Sequence, residues 1–166
     1  MNANNIDLIN AYKKQFNELD DSYCVACTIM TRKIKVNAYD TAANAKTRHM
    51  NKDEVNACVN EFIKRLSKQV FNSEYRQFGT LVEYVQVLEG NDIALNKAHK
   101  TLDIHAHLIL KKVDNLTVEE FIKKAMKARR LTNDIESMDI KHSDKGWNSY
   151  CTKAVRTKED ILNISF

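Results

Sequence analysis

The sequence predicts an α+β fold in which a central, mainly antiparallel β-sheet is flanked by helices. Segments 23–30, 80–89 and 102–110 are rich in β-formers, whereas 52–71 and 117–130 carry the spacing or the capping signal of helices. The last two strand segments follow one another with helices on either side, which favours a layered sandwich. At 166 residues, we expect a single domain spanning the chain.

The first half of the chain alternates helical, strand and polar segments. Residues 6–19 place apolar side chains near helical spacing, and 23–30 is predicted to be a strand. The polar stretch 37–51, which contains DTAANAKTRH, is predicted to be a loop. The segment 52–71 is an amphipathic helix, because its apolar residues recur every three or four positions: Val55, Val59, Phe62, Leu66 and Val70.

The second half contains the two central strands. The strand at 80–89 ends at a glycine, and the strand at 102–110 follows it. Thr117 opens a Thr-x-x-Glu capping box, so a helix is expected to begin there and to continue to residue 130. A further strand is predicted at 135–141.

Composition excludes several classes of protein. Forty-three per cent hydrophobic and 29% charged residues are ordinary for a globular domain. No apolar run approaches the roughly 20 residues that span a bilayer, and the opening lacks the apolar region of a secretory signal. We therefore expect a soluble, cytoplasmic protein. The net charge of +4 gives a mild preference for polyanions.

The four cysteines are predicted to be buried thiols, not zinc ligands. Cys24 and Cys27 form a CxxC within a strand, where residues three apart point to opposite faces. No second CxxC completes a site, and Cys58 and Cys151 stand alone.

Two histidines interrupt the apolar stretch LDIHAHLIL, residues 102–110. On a strand, Asp103, His105 and His107 share one face, and the apolar residues share the other, which should face the helices. The two imidazoles have Cβ atoms roughly 6.6 Å apart and can converge on one metal ion. An exposed or hydrogen-bonded pair without a metal is the alternative.

A carboxylate near the end of the preceding strand is the candidate third ligand. If that strand pairs with the histidine strand, Glu89 lies beside His105 and His107. Two imidazoles and one carboxylate leave open positions and suit Mg²⁺ or Mn²⁺. Glu83 and Gln86 are weaker candidates for the same role.

The last predicted helix carries a tyrosine and a lysine on one side. Ser143 or Asp144 caps this helix, and Tyr150 and Lys153 lie three residues apart. A tyrosine with a lysine in reach can attack phosphorus, because the lysine favours the phenolate and neutralises charge on the phosphate. Judged alone, Tyr150 is more often a packing residue whose hydroxyl has a partner. Trp147 is interpreted mainly as a packing residue.

Together these motifs resemble the HUH endonucleases, named for His-hydrophobic-His, and especially their rolling-circle replication initiators. The matching residues are His105-Ala106-His107 and the YxxK from Tyr150 to Lys153. The first strand occupies the place of that family's less distinctive first motif, and VLEG precedes the histidine pair as in initiators whose third ligand does so. The likeness covers residues 23–153.

The resemblance implies specific roles. His105, His107 and Glu89 would bind a divalent cation, Mg²⁺ or Mn²⁺, which polarises a phosphate of single-stranded DNA at a replication origin. Tyr150 would attack that phosphate and leave a covalent 5′-phosphotyrosine and a free 3′-hydroxyl. Lys153 would assist near the phosphate. The implied fold is a central antiparallel sheet with flanking helices, related to the RNA-recognition sandwich.

Other assignments stay open. His142 is an alternative third ligand, and the polar stretch 37–51 is a candidate DNA-contacting arm. No GxxxxGK[ST] motif occurs, so we expect either a compact initiator or a nuclease domain of a longer protein. The rival functions are a single-tyrosine transposase of the same superfamily, which more often has glutamine at the position of Lys153, and a non-catalytic single-strand-binding module. The latter would need a dense aromatic platform that Tyr23 and Tyr84 alone do not make.

Overall fold

The structure is a computed structural model that describes residues 10–11, 14, 18–19, 21–35, 47–90, 104–143, 147 and 161–165, the last range by its backbone only. The strands are β1 (Val25–Thr31), β2 (Ile34–Lys35), β3 (Thr47–Arg48), β4 (Tyr84–Glu89), β5 (His105–Leu110), β6 (Ile135–His142) and β7 (Ile161–Ser165). The helices are α1 (Lys52–Phe71), α2 (Ser73–Phe78) and α3 (Val118–Leu131).

Five of the strands form one antiparallel sheet in the order β6-β1-β5-β4-β7. The histidine strand β5 is the central strand, with β1 on one side and β4 on the other. The predicted α+β fold, an antiparallel sheet flanked by helices, is confirmed. The sheet positions the site, because pairing of three sequence-distant strands brings their side chains together on one face.

The two faces of the sheet differ as the alternation in β5 predicts. Ile104, Ala106, Leu108 and Leu110 belong to the hydrophobic core, where α1 and α3 pack on the sheet. His105 and His107 lie on the opposite face. The core side chains are tightly enclosed, and the largest fully buried ones include an aromatic residue from each helix, Phe62 and Phe121.

Both long helices begin at capping boxes. The Asn51 side chain accepts from the Glu54 amide, and the Glu54 carboxylate accepts from the Asn51 amide. Thr117 and Glu120 make the same reciprocal pair at α3. These bonds satisfy amides that a helix N-terminus otherwise leaves unpaired, so the chain starts each helix where the sequence predicts.

Two predicted segments differ from the structure. Strand β4 begins at Tyr84 and not near residue 80, because the Val82 amide donates to the Ser67 hydroxyl of α1 at 2.8 Å instead of joining the sheet. The predicted loop 37–51 is wrong at its end: Thr47–Arg48 pairs with Ile34–Lys35 as a two-stranded ribbon.

Other predictions fall on parts of the chain that lie outside the described residues. The helix predicted at 6–19 and the short helix after Ser143 lie largely there, as does the stretch 36–46. Within the described part of the chain, no helix is both long enough and apolar enough to cross a membrane.

The described cysteines behave as buried thiols. Cys27 and Cys58 are buried in the core, Cys24 is half-buried, and all three are free. Burial raises the pKa of all three thiols, that of Cys58 to about 12. Cys151 lies outside the described residues.

Candidate metal centre

The pairing of β4 with β5 brings a carboxylate to the two histidines. Glu89 lies directly opposite His105 in the register, and Val87 lies opposite His107. Side chains at alternate positions share a face, so Glu89, His105 and His107 all project from the face opposite the helices. One ligand atom from each residue lies within 4.8 Å of the others. This group could hold a metal ion.

A single carboxylate oxygen lies close to both imidazoles. Glu89 Oε2 is 2.9 Å from His107 Nε2 and 3.3 Å from His105 Nε2. The two rings meet edge to face, with centroids 4.8 Å apart. The same Nε2 atoms therefore point at one small volume beside the carboxylate, as the ligands of one ion must.

Exposure of the three side chains decreases from one side of the group to the other. The Glu89 side chain is 34% exposed, that of His105 16% and that of His107 3%. A bound ion would thus be reached from the Glu89 side, while His107 forms the enclosed wall.

Thr28 orients the buried imidazole. It lies opposite His107 in the β1–β5 register, and its Oγ1 is 3.1 Å from His107 Nδ1. An ionised Glu89 only accepts, so Nε2 carries the hydrogen in this structure and Nδ1 accepts from the Thr28 hydroxyl. If Nε2 held a metal ion, Nδ1 would carry the hydrogen and would donate it to the Thr28 hydroxyl.

Trp147 encloses the same imidazole from outside the sheet. Its ring meets His107 edge to face, with centroids 5.7 Å apart. Lys141 of β6 places its Nζ 5.2 Å from the centroid of the Trp147 ring. The surface against which Trp147 packs therefore includes the candidate ligand His107.

The protonation states fit metal binding at neutral pH. Burial lowers the pKa of His107 and outweighs the opposing effect of the hydrogen bond that His107 donates to Glu89. Partial burial acts to raise the pKa of Glu89, but the hydrogen bond with His107 and the nearby charge of His105 outweigh it, and the pKa lies below its usual range. A neutral imidazole and an ionised carboxylate are the forms that coordinate a cation.

The other residues considered as third ligands either bind other partners or lie on the opposite face of the sheet. Glu83 accepts from Lys111 Nζ and from the Tyr23 hydroxyl, each at 3.0 Å. Gln86 is fully buried and pairs in register with Leu108, on the helix side of the sheet. His142 pairs in register with Val25, a core residue of that same side.

Sequence reasoning anticipated the metal group but missed Thr28. The hydroxyl is visible in the sequence as a polar residue in an apolar strand, yet its partner is set by the β1–β5 register, which a single sequence does not reveal. Tyr150 and Lys153 lie outside the described residues, and their roles stay predictions.

Comparisons with known proteins identify no relative of this chain. No protein-family model matches this chain, and no curated protein or solved structure matches it either. The function must therefore be argued from the site itself.

Proposed function

We propose that this protein is a metal-dependent endonuclease of the HUH type that nicks and rejoins single-stranded DNA through a tyrosine, and that it initiates rolling-circle replication of a plasmid or virus. The observation that carries the proposal is the convergence of Glu89 Oε2 with the Nε2 atoms of His105 and His107 on the side of the central strands opposite α1 and α3. A hydrogen bond for the buried His107 alone would not require His105 Nε2 to approach the same carboxylate oxygen, as it does at 3.3 Å.

The donor set fits a small divalent cation. Two neutral imidazoles and one carboxylate provide three ligands and leave positions for a phosphate oxygen and water. A divalent metal ion held by Glu89, His105 and His107 would supply Lewis-acid polarisation of the scissile phosphate. Thr28 would hold the His107 ring in the orientation and tautomer that ligation needs.

Tyr150 is the proposed nucleophile. Its phenol oxygen would form a bond with phosphorus as the bond from phosphorus to the 3′-oxygen breaks. The phenol proton leaves, the departing 3′-oxygen takes up a proton, and the products are a 5′-phosphotyrosine and a 3′-hydroxyl. Lys153 would offset negative charge at the phosphate. Attack by the 3′-hydroxyl of a strand on the phosphotyrosine would reverse the step and rejoin DNA.

The position of Trp147 supports the choice of tyrosine. Trp147 contacts His107, and Tyr150 follows Trp147 by three residues, a length of chain that spans at most about 11 Å. Among the tyrosines of the described strands, Tyr84 is buried with its hydroxyl on Asn60. The Tyr84 hydroxyl is therefore already used in a hydrogen bond within the fold.

A covalent adduct tests the proposal. A random-sequence pool of single strands, labelled at the 3′ end, is incubated with the protein and Mn²⁺ and resolved on a denaturing gel. The label must be at the 3′ end because the proposed linkage is to the 5′-phosphate of the downstream fragment. We expect an adduct that disappears with EDTA, with Tyr150→Phe and with Glu89→Gln. The matched variant Tyr75→Phe, on α2, should form the adduct as the wild type does.

Other outcomes reject the nuclease or one of the roles assigned within it. If no adduct forms and strands bind equally with and without metal, the chain is a single-strand-binding module. If Tyr150→Phe forms as much adduct as the wild type, another nucleophile acts and the assignment of Tyr150 is wrong. If adduct formation is insensitive to EDTA and to Glu89→Gln, the metal group has no part in the reaction.

A further inference from the structure

The helix layer presents a second surface, on the side of the molecule opposite the candidate metal centre. Helices α1 and α3 bury Phe62 and Phe121 in the core that covers the sheet. They also contact one another directly, since Lys124 Nζ donates to the Gln69 carbonyl at 2.9 Å. This contact places the middle of α3 beside the last turn of α1.

The outward side of this layer is basic. On α1 two exposed cations lie four residues apart, and on α3 three exposed cations lie at spacings of four and three residues. Each set therefore forms one stripe along its helix. We call these residues the basic helix surface: Lys64, Lys68, Lys123, Lys127 and Arg130.

Two pairs of these cations repel one another within their helices, although Lys68 and Arg130 lie in last turns, where the helix dipole favours them. Lys64 with Lys68 and Lys123 with Lys127 are like-charged neighbours at i,i+4, each of which costs a helix roughly 0.2–0.5 kcal/mol. Within the described part of the chain, none of the five cations of this surface forms an ion pair. By contrast, Arg65 of α1 forms an ion pair of opposite charges with Glu61, four residues earlier, with its Nε 2.7 Å from Glu61 Oε1.

Acidic residues of α3 are confined to its first turn, and the exposed Glu119 lies four residues before Lys123 at the start of the stripe. The acids of that helix, Glu119 and Glu120, lie in its first turn, where they favour the helix dipole. From Lys123 to Leu131 the helix contains no acidic residue. The stripe on α3 is thus basic without an acidic neighbour from Lys123 to the end of the helix.

We propose that the basic helix surface binds the phosphate backbone of duplex DNA. A protein partner would need an apolar centre to its interface. The exposed large hydrophobic residues among those described are Phe78, Leu81 and Leu131, and only Leu131 lies on α1 or α3, at the end of the stripe. A polar, strongly cationic surface without such a centre fits nucleic acid.

The absence of exposed aromatic rings on these helices favours a duplex over a single strand. Single-strand sites stack bases on aromatic side chains. Of the aromatic residues of α1 and α3, Phe62 and Phe121 are fully buried, and Phe71 packs against the core. These helices therefore have cations for a backbone and no platform for unstacked bases.

The dimensions also agree with a duplex backbone. Lys123 to Arg130 extends over about 10 Å at 1.5 Å per residue. The axes of neighbouring packed helices lie about 8–10 Å apart, so both sets of cations are within the width of one duplex. Duplex DNA carries one negative charge per about 1.7 Å of its axis, which is enough for all five cations at once.

This inference does not depend on the proposed nuclease activity. The metal group lies across the sheet from the basic helix surface, so the two surfaces can engage different DNA segments. A nuclease that also held the flanking duplex in this way would remain near its single-stranded site. The duplex contact itself requires neither the metal nor Tyr150.

Salt-dependent binding tests the inference without metal chemistry. Binding of a short labelled duplex is measured in EDTA at several salt concentrations, for the wild type and for the double variant Lys123→Gln/Lys127→Gln. Each lost phosphate contact lowers the slope of log K against log salt by about 0.9, so we expect the slope to fall by nearly 2. Lys64→Gln/Lys68→Gln should act similarly. Removing like-charged neighbours is not expected to unfold either helix.

The matched control is Lys14→Gln/Arg76→Gln, which removes the same charge from exposed residues outside α1, α3 and the candidate DNA-contacting stretch 37–51. An equal fall in slope for the control would show a net-charge effect and overturn the proposal. So would an unchanged slope in both helix variants. Tighter binding of a single strand through the same lysines, or equal competition by polyglutamate at the same charge, would also reject a duplex site. Glu89→Gln should leave duplex binding unchanged, which separates this result from failure of the nuclease.

Discussion

The hydrogen bond between Thr28 and His107 links the folding of the sheet to the chemistry of the site. His107 is held by Thr28 Oγ1 at Nδ1 and by Glu89 Oε2 at Nε2, while Trp147 contacts its ring. A buried imidazole with both nitrogens engaged has one orientation and little freedom to leave it. The ligand is therefore preorganised before any ion binds.

Thr28→Val should weaken metal binding while leaving the fold intact. Valine has the same shape as threonine but no hydroxyl, so Nδ1 loses the partner that fixes its tautomer. Loss of such a supporting hydrogen bond typically costs about 10–100-fold in metal affinity. Titration with Mn²⁺ by calorimetry measures the effect, and Thr28→Ser, which restores the hydroxyl, serves as the control. Equal affinity for the valine variant and the wild type would mean that Thr28 has no part in ligation.

The lowered pKa of His107 predicts a pH dependence of stability. Burial holds the folded pKa below the usual value near 6.5, so the unfolded chain binds more protons between these two values. Stability should then be greatest above pH 6.5 and be lost as pH falls through the folded pKa. Glu89, with its pKa also lowered, stays ionised through this window.

Urea unfolding at several pH values between 7.5 and 5.5 tests whether the free energy of unfolding falls as the pH decreases. His107→Gln removes the titrating group, so its free energy of unfolding should fall less steeply than that of the wild type as pH decreases. Equal slopes for the two proteins would show that the folded pKa of His107 is not lowered.

The helices and strands were predictable to different degrees. Helix α1 spans the predicted residues 52–71, and α3 begins after the predicted cap at Thr117, because caps and apolar spacing are local signals. The two faces of β5 were also predictable from alternation. The start of β4 was not, because Ser67 captures the Val82 amide through a contact between residues distant in sequence.

Thr117→Ala should destabilise the fold through α3. The substitution removes the side chain that accepts from the Glu120 amide at 3.2 Å. Loss of such a cap typically lowers the free energy of unfolding by about 1 kcal/mol. Urea unfolding measures the change, and Thr117→Ser, which keeps the accepting oxygen, should lose much less. If the alanine variant is as stable as the wild type, the capping box is not formed in solution.

The three candidate metal ligands could be predicted from the sequence, but the residues that surround them could not. The HxH spacing places two imidazoles on one face, and the preceding strand ends at Glu89, so the three ligands follow from alternation and a single antiparallel pairing. The contribution of Thr28 needs a second pairing, between segments far apart in the chain. The order of β6, β1 and β5 is therefore the part of the site that local patterns cannot supply.

The two proposals assign a different role to each face of the molecule. The sheet face carries Glu89 and the histidine pair, and the helix face carries the basic helix surface. A tyrosine nuclease needs the first face for cleavage. The second would explain why the positive charge of the chain is concentrated on helices that take no part in the metal group.

The proposed chemistry depends on one metal ion bound by Glu89, His105 and His107. Pulsed electron paramagnetic resonance of Mn²⁺ added to the protein measures this directly, because nitrogen ligands couple to the electron spin of the ion. We predict one tightly bound Mn²⁺ per chain with couplings from two imidazole nitrogens, and weaker binding by Glu89→Gln. Bound Mn²⁺ without nitrogen coupling, or no tightly bound Mn²⁺, would contradict the metal centre and the nuclease built on it.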